Sequence, residues 1–208
     1  MTPIKFGTDG WRAIIAADYT FENLERVARA PGQWLHATYG SDASVVVGYD
    51  CRFLGDQFAA HAAQVFASMG IRVQLADSFV TTPAVSWATE AYGHSAGIVI
   101  TASHNPPAYN GFKIKAHFGG PASPDMIAAV EAQLDQLAGG FEKKPRADLK
   151  AAGLIEHIDL ASAFTAILAE RIDTDAIKAS GLKFAYDARY GAGQGTLTDL
   201  LGAATVVE

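Results

Sequence analysis

The sequence predicts an α/β protein, a three-layer α/β/α arrangement with a mixed, mostly parallel sheet, followed by the incomplete start of a second, similar α/β domain. Two observations predict the layers. Short β-branched runs alternate with segments whose apolar residues recur at spacings of three and four, the pattern of strands joined by crossover helices. The runs are apolar at consecutive positions, as strands covered on both faces must be. Residues 45–49 (Val-Val-Val-Gly-Tyr) are the first strong strand. Phe58, Ala62, Val65, Phe66 and Met69 then share one helical face, and Gly70 ends that helix. Residues 71–76 form the next strand. Thr82 is expected as an N-cap with Pro83 at the first helical position. Residues 96–101 form a third strand, and Ser123-Pro124 repeats the cap pattern before a helix to about Ala138. An earlier helix begins near Phe21 behind Thr20, and Pro31 is expected to kink or end it.

Glycines, lysines and a proline at residues 139–153 suggest a surface connection. Asp159 then caps a helix to about Ile172, and residues 182–187 read as a strand. Tyr49-Asp50-Cys51-Arg52 closes the first strong strand, and Tyr186-Asp187-Ala188-Arg189 closes this late one. The echo predicts a second domain of related build, with too few residues after it for completion. The expected division is 1–140 for the first domain and 141–208 for a linker and the start of the second.

The chain has 208 residues, half of them apolar and 18% charged, which excludes a disordered or collagen-like chain. Lys and Arg number 16 against 22 Asp and Glu, a net charge of −6, so nucleic acid is not an expected partner. A single cysteine, Cys51, excludes an internal disulfide framework and makes a reducing cytoplasm the expected location. No signal peptide is read at the start, and no apolar run approaches the roughly 18 residues of a membrane helix.

Gly93-His94-Ser95-Ala96-Gly97 fits the pattern of serine hydrolases, but a helix precedes it and a strand follows, the reverse of a nucleophile elbow. It is read as a helix-to-strand turn; a hydrolase would require Ser95 to label with an organophosphonate. Gly191-Ala192-Gly193-Gln194-Gly195 offers backbone N–H groups to an anion, yet misses the dinucleotide and Walker spacings, so a structural turn and a substrate contact both stand. No histidine or cysteine set has zinc spacing.

Thr101-Ala102-Ser103-His104-Asn105-Pro106-Pro107 follows the third strand, where open α/β sheets collect ligands. Ser103 is a candidate nucleophile and His104 a candidate proton carrier. The same residues also suit a plain turn in which Ser103 caps and Asn105 bonds the backbone. Tyr109-Asn110-Gly111-Phe112-Lys113-Ile114 carries a turn signal at Asn110-Gly111 that would return Lys113 toward Ser103; a solvated strand lysine is the alternative. In Phe6-Gly7-Thr8-Asp9-Gly10-Trp11-Arg12 the guanidinium suits a phosphate or an ordinary salt bridge. Arg52, after Asp50, has the same two readings and leans structural.

These four segments together resemble the first domain of the α-D-phosphohexomutase superfamily, nearest its phosphoglucomutase/phosphomannomutase branch, over roughly residues 1–140. The resemblance implies that Ser103 carries a phosphoryl group, gives it to a hexose phosphate, and recovers the other phosphate from a bisphosphorylated hexose, which also serves as activator. It implies that Lys113 transfers a proton, that His104 sits beside the carrier, and that Arg12 is held near the phosphoserine. Arg12, Asn105 and Lys113 would form the phosphate-binding set. Mg²⁺ would bind an oxygen of the Ser103 phosphate, its aspartate ligands lying beyond this chain. The sequence departs from the family at Ala13, where glycine is common. It also lacks the Asp-Gly-Asp-x-Asp-Arg metal loop, the Gly-Glu-x-Ser-Gly sugar loop and the Arg-x-Ser-Gly-Thr phosphate loop. The chain is therefore expected to be an N-terminal part that folds without turnover; a non-catalytic sugar-phosphate-binding fragment is the alternative. The choice between glucose and mannose phosphates is not encoded here, and glucosamine phosphate is disfavoured by the serine loop.

Overall fold

A computed structural model of the chain describes residues 4–7, 10–134, 136–137 and 140–208. Thr8 and Asp9 of the N-terminal motif, and the expected helix end at Ala138, lie outside them. In chain order the elements are β1 (Trp11–Ile14), α1 (Phe21–Tyr39), β2 (Ser44–Tyr49), α2 (Gly55–Ser68), β3 (Arg72–Ala76), α3 (Thr82–Ala91), β4 (Ala96–Ile100), β5 (Tyr109–Ala116) and α4 (Pro124–Leu134). There follow α5 (Arg146–Ala151), β6 (Ile155–Ile158), α6 (Leu160–Arg171), α7 (Thr174–Ala179), β7 (Phe184–Ala185), α8 (Thr196–Leu201) and β8 (Val206–Val207).

The main sheet has the order β1-β5-β4-β2-β3-β6. β4, β2, β3 and β6 run parallel, and β5 pairs antiparallel with both β4 and β1. The consecutive apolar residues of the central strands serve two cores. Val45, Val47, Ile98 and Ile100 pack with α1 and α2, whereas Val46 and Val99 pack with α3 and α6. A period-two strand in a covered sheet requires this division. The sheet is thus the middle layer of three.

Several expected boundaries shift for identifiable reasons. α1 is not ended by Pro31 but runs through it. Leu24, Val27, Ala28, Ala30, Gly32 and Leu35 are buried with that proline, so packing outweighs the missing hydrogen bond. A Cβ on Gly32 would lie 2.6 Å from the Met69 sulfur, so α1 approaches the end of α2 closely there. Thr81, not Thr82, precedes α3, which places Pro83 in its first turn. The Thr20 and Asp159 caps form as expected, with side-chain oxygens accepting the amides of Asn23 and Ser162. The edge strand β6 comes from residues after 140, so the sheet itself extends past the expected division. After α6, a parallel pair β7–β8 and a small core of Leu200, Leu201 and Val206 begin a separate cluster.

The hydrolase-like pentapeptide lies at the N-terminal end of β4. Ser95 is buried and its Oγ accepts the Ser44 amide at 3.2 Å, while its own amide donates to Ser44 O. His94 sits between Ser44 Oγ (3.2 Å) and Gln74 Oε1 (2.9 Å). The pentapeptide is a seam joining β4, β2 and β3.

Burial, and secondarily Arg72, lowers the His94 pKa from its ordinary 6.5 to about 4. The unfolded chain therefore takes up a proton below pH 6.5 that the folded chain refuses until near pH 4. Stability is complete above 6.5 and declines as pH falls through that window. We expect His94 to account for about 2 kcal/mol of lost stability between pH 7 and pH 5. Urea unfolding at the two pH values, with and without His94→Gln, checks this; an unchanged pH dependence in the variant contradicts it.

Candidate active site

The loops leaving the C-terminal ends of β2, β3 and β4 converge. α2 and α3 leave β2 and β3 toward opposite faces of the sheet, which opens a crevice at those strand ends. The resulting cleft has a volume of ≈ 650 Å³. Asp50, Thr81, Thr101, Ser103 and Asn105 line it, and residues 189–193 close it from the far side.

The serine loop is held from below by one arginine. Arg52 Nη2 donates to Ser103 O (2.8 Å) and Asn105 O (2.7 Å). Its Nη1 donates to Pro106 O (2.9 Å) and Tyr109 O (3.0 Å). Asp50 positions this guanidinium: Oδ1 accepts the Arg52 amide at 3.1 Å, and Oδ2 lies 3.4 Å from Nε as an ion pair. The same carboxylate accepts the Thr101 hydroxyl at 2.5 Å, and Thr101 Oγ1 in turn accepts the Ser103 amide at 3.0 Å. A continuous circuit therefore runs from the Ser103 amide through Thr101, Asp50 and Arg52 back to the Ser103 carbonyl. Inside it, Ser103 has φ of 56°, a left-handed conformation uncommon outside glycine. Its side chain is exposed, and Oγ lies 3.4 Å from His104 Nδ1. Four carbonyl oxygens of the loop and its exit are thus turned onto one guanidinium.

Asn110-Gly111 makes no turn. Both residues lie within β5, and residues 101–108 reverse the chain. Gly111 is required for space: a Cβ there would stand 2.5 Å from Thr101 O and 2.9 Å from Trp11 O. Tyr19, fully buried, donates to Gly111 O at 2.9 Å while stacking on Trp11 and meeting Phe58 edge-on. Arg12 pairs opposite Gly111, and its Nη1 donates to Asn105 Oδ1 at 2.8 Å. Lys113 follows on β5, opposite Val99. It is buried rather than a solvated strand lysine.

Of the expected site residues, Ser103 and Asn105 face the cleft, His104 touches Ser103, and Arg12 is tied to the loop through Asn105. Lys113 lies on the strand after the loop and is not in the cleft wall. The glycine loop 191–195 shares the wall, but its Gly195 amide donates to the Glu208 carboxylate at 3.0 Å. Cys51 also lines the cleft. Burial first and Asp50 second push its thiol above the ordinary range, against a Gln194 contact at 3.7 Å. Arg52, which leans structural in the sequence, holds the loop rather than lining the site with a free cation; of the far wall, Gly191–Gly193 belong to the segment whose substrate contact stands open, whereas Arg189 and Tyr190 are not among the expected site residues. The repeated Tyr-Asp-x-Arg tetrapeptide is the signal for both, since it marks the two turns that face each other here.

Arg52→Lys keeps the charge but not the planar fork that reaches four acceptors. We expect it to cost about 1–3 kcal/mol and to speed amide exchange across residues 103–109 while the central strands stay protected; exchange mass spectrometry reads the difference. Gly111→Ala should destabilise the chain by about 1–3 kcal/mol or more through its backbone clash, measured by urea unfolding. An alanine variant of wild-type stability would show that the loop and β1 separate freely.

Residues 3–139 match the family model described as phosphoglucomutase/phosphomannomutase, alpha/beta/alpha domain I. A phosphoglucomutase of Staphylococcus epidermidis is 37% identical over 138 residues, covering 65% of this chain and 25% of that protein. A phosphoglucosamine mutase of Caldicellulosiruptor bescii is 30% identical over 205 residues, 97% of this chain and 44% of its own length. A solved structure from Thermus thermophilus, provisionally named a phosphomannomutase, superposes with a TM-score of 0.85 at 36% identity, covering 96% of this chain and 43% of that one. The chain thus spans a quarter to less than half of these relatives. Its serine loop, the arginine circuit beneath it and the three-layered sheet all fall in or beside the matched segment, and the chain belongs to the phosphoglucomutase/phosphomannomutase family.

Proposed function

We propose that this chain is the phosphoryl-carrying part of a phosphohexomutase and that Ser103 is the carrier. The observation that supports this most directly is the exposed Ser103 hydroxyl on a loop whose carbonyls are withdrawn onto Arg52. Phosphoryl transfer needs positioning and charge compensation more than covalent assistance from the protein. A loop fixed by the Asp50–Arg52 circuit supplies the first. In this reading Arg12, anchored through Asn105, supplies the second.

In the forward step, a free hydroxyl oxygen of a hexose phosphate bonds to the phosphorus on Ser103. The Oγ–P bond breaks, and the hydroxyl proton passes to a base, the role the family resemblance gives to Lys113; because Lys113 lies buried on β5 outside the cleft wall, that role requires its side chain to reach the bound hydroxyl. In this reading His104, beside Oγ, gives a proton to the departing serine oxygen. The resulting bisphosphorylated hexose turns over in the cleft, and the reverse chemistry moves its other phosphate to Oγ. The products are an isomeric hexose phosphate and a recharged serine. When bound, Mg²⁺ would offset charge between two anionic groups. The residues present do not make a protein-held site for it. No group of three His, Cys, Asp or Glu side chains gathers among the described residues, and Asp50 is engaged with Arg52 and Thr101. An oxygen of phosphorylated Ser103 is the ligand this chain would offer.

Alone, the chain is proposed to accept phosphate without completing the isomerisation. No helix among the described residues is long and apolar enough to cross a membrane, and the lone cysteine suits a reducing cytoplasm.

Incubation with glucose 1,6-bisphosphate, followed by peptide mapping, should place one phosphate on Ser103. Ser103→Ala should carry none, and neither protein should interconvert hexose phosphates with Mg²⁺ present. Label at another residue, or label surviving Ser103→Ala, removes the carrier role; clear isomerisation by the chain refutes the division of labour.

A further inference from the structure

Two turns of nearly the same sequence face each other across the cleft, and their arginines do different things. In each, the aspartate Oδ1 accepts the amide of the arginine two residues on, Asp50 to Arg52 at 3.1 Å and Asp187 to Arg189 at 2.8 Å. Beyond that point they diverge. Arg52 is committed to Asp50 and four carbonyls. The Arg189 side chain is exposed and makes no hydrogen bond or ion pair with any described residue. These two are the cations of the cleft wall among the described residues.

The backbone around Arg189 is strained and fastened. Arg189 and the next residue, Tyr190, have φ of 51° and 56°, consecutive left-handed positions without glycine. The turn is pinned by Gly191 N to Ala188 O (2.8 Å), Tyr186 Oη to Gly193 O (3.2 Å) and Gln194 Nε2 to Gly191 O (3.0 Å). Tyr190 is 89% exposed, the most exposed large apolar side chain of the chain among the described residues. Strained, well-fastened positions in a cleft accompany function.

We propose that Arg189 and Tyr190 form a clamp for the phosphorylated sugar opposite Ser103. The guanidinium fork receives a phosphate bidentately, and the tyrosine ring offers a flat apolar face to the C–H face of the sugar. The clamp rests on the reading that a sugar phosphate enters this cleft, and it adds a second, independent contact to it. Ser103 and its loop then hold the reacting group while the opposite turn holds the rest of the ligand.

Calorimetric titration of the chain with glucose 1,6-bisphosphate and, separately, with inorganic pyrophosphate tests this. Arg189→Gln should weaken both ligands by about tenfold or more, and Arg189→Lys should weaken them less. Tyr190→Ala should weaken the sugar ligand while leaving pyrophosphate unchanged. Both positions are exposed, and unaltered thermal unfolding shows that the variants fold. Sugar bisphosphate affinity unchanged in Arg189→Gln, or no binding by the wild-type chain at millimolar ligand, overturns the clamp. Equal loss of both ligands in Tyr190→Ala overturns the ring contact. Phosphate on Ser103 with Arg189-independent binding would leave the carrier standing and remove the clamp; Arg189-dependent binding without phosphate on Ser103 would do the reverse.

Discussion

One ion pair organises the site. The guanidinium of Arg52, oriented by Asp50, accounts for four carbonyl groups of an otherwise irregular loop, at Ser103, Asn105, Pro106 and Tyr109. A loop between two strands has no ladder partner for its backbone carbonyls. A planar cation with several donors in one plane can serve them together, where a lysine would serve fewer. The Ser103 carbonyl is held by that side chain and its amide by Thr101, which Asp50 in turn holds, so the left-handed backbone of Ser103 is fixed from both sides by the one pair and its threonine.

The pair can act because of strand order. β2 and β4 are distant in sequence but adjacent and parallel in the sheet, so their C-terminal loops emerge side by side. Asp50 continues this contact past the last strand residue, its amide donating to Ile100 O at 3.1 Å. The antiparallel β5 then carries the serine loop back into the sheet, where Gly111 lets it lie against β1 and Tyr19. Beneath, Tyr19 stacks on Trp11 and meets Phe58 edge-on, and all three are buried in the core on that face of the sheet.

The two ends of the same strand have opposite characters. At the N-terminal end of β4, His94 and Ser95 are buried and matched with polar groups of β2 and β3, which makes that end a fastening. At the C-terminal end the hydroxyl of Ser103 stays exposed while its backbone is tied down. A serine becomes chemically available where its backbone partners are satisfied and its side chain is not. This contrast separates the serine loop after β4 from the pentapeptide that resembles a hydrolase motif.

The layered α/β class, the central strands, the Thr20 and Asp159 caps and the position of the serine loop were all legible in the sequence. They follow from periodicity and capping chemistry, which act over a few residues. The passage of α1 through Pro31, the pairing of β6 with β3 and the meaning of Asn110-Gly111 were not legible there. Each depends on what packs from elsewhere: burial of the Pro31 face, a free sheet edge beside β3, and the carbonyls of Thr101 and Trp11 that leave room only for glycine. Arg52 shows the same limit most clearly. Its sequence neighbours place it after Asp50 at a strand end, but its four acceptors are backbone oxygens of residues 103–109, on a distant stretch of chain, and a carbonyl leaves no mark on the residue that bears it. Local chemistry determined which elements form; the register and order of the strands decided which loops meet.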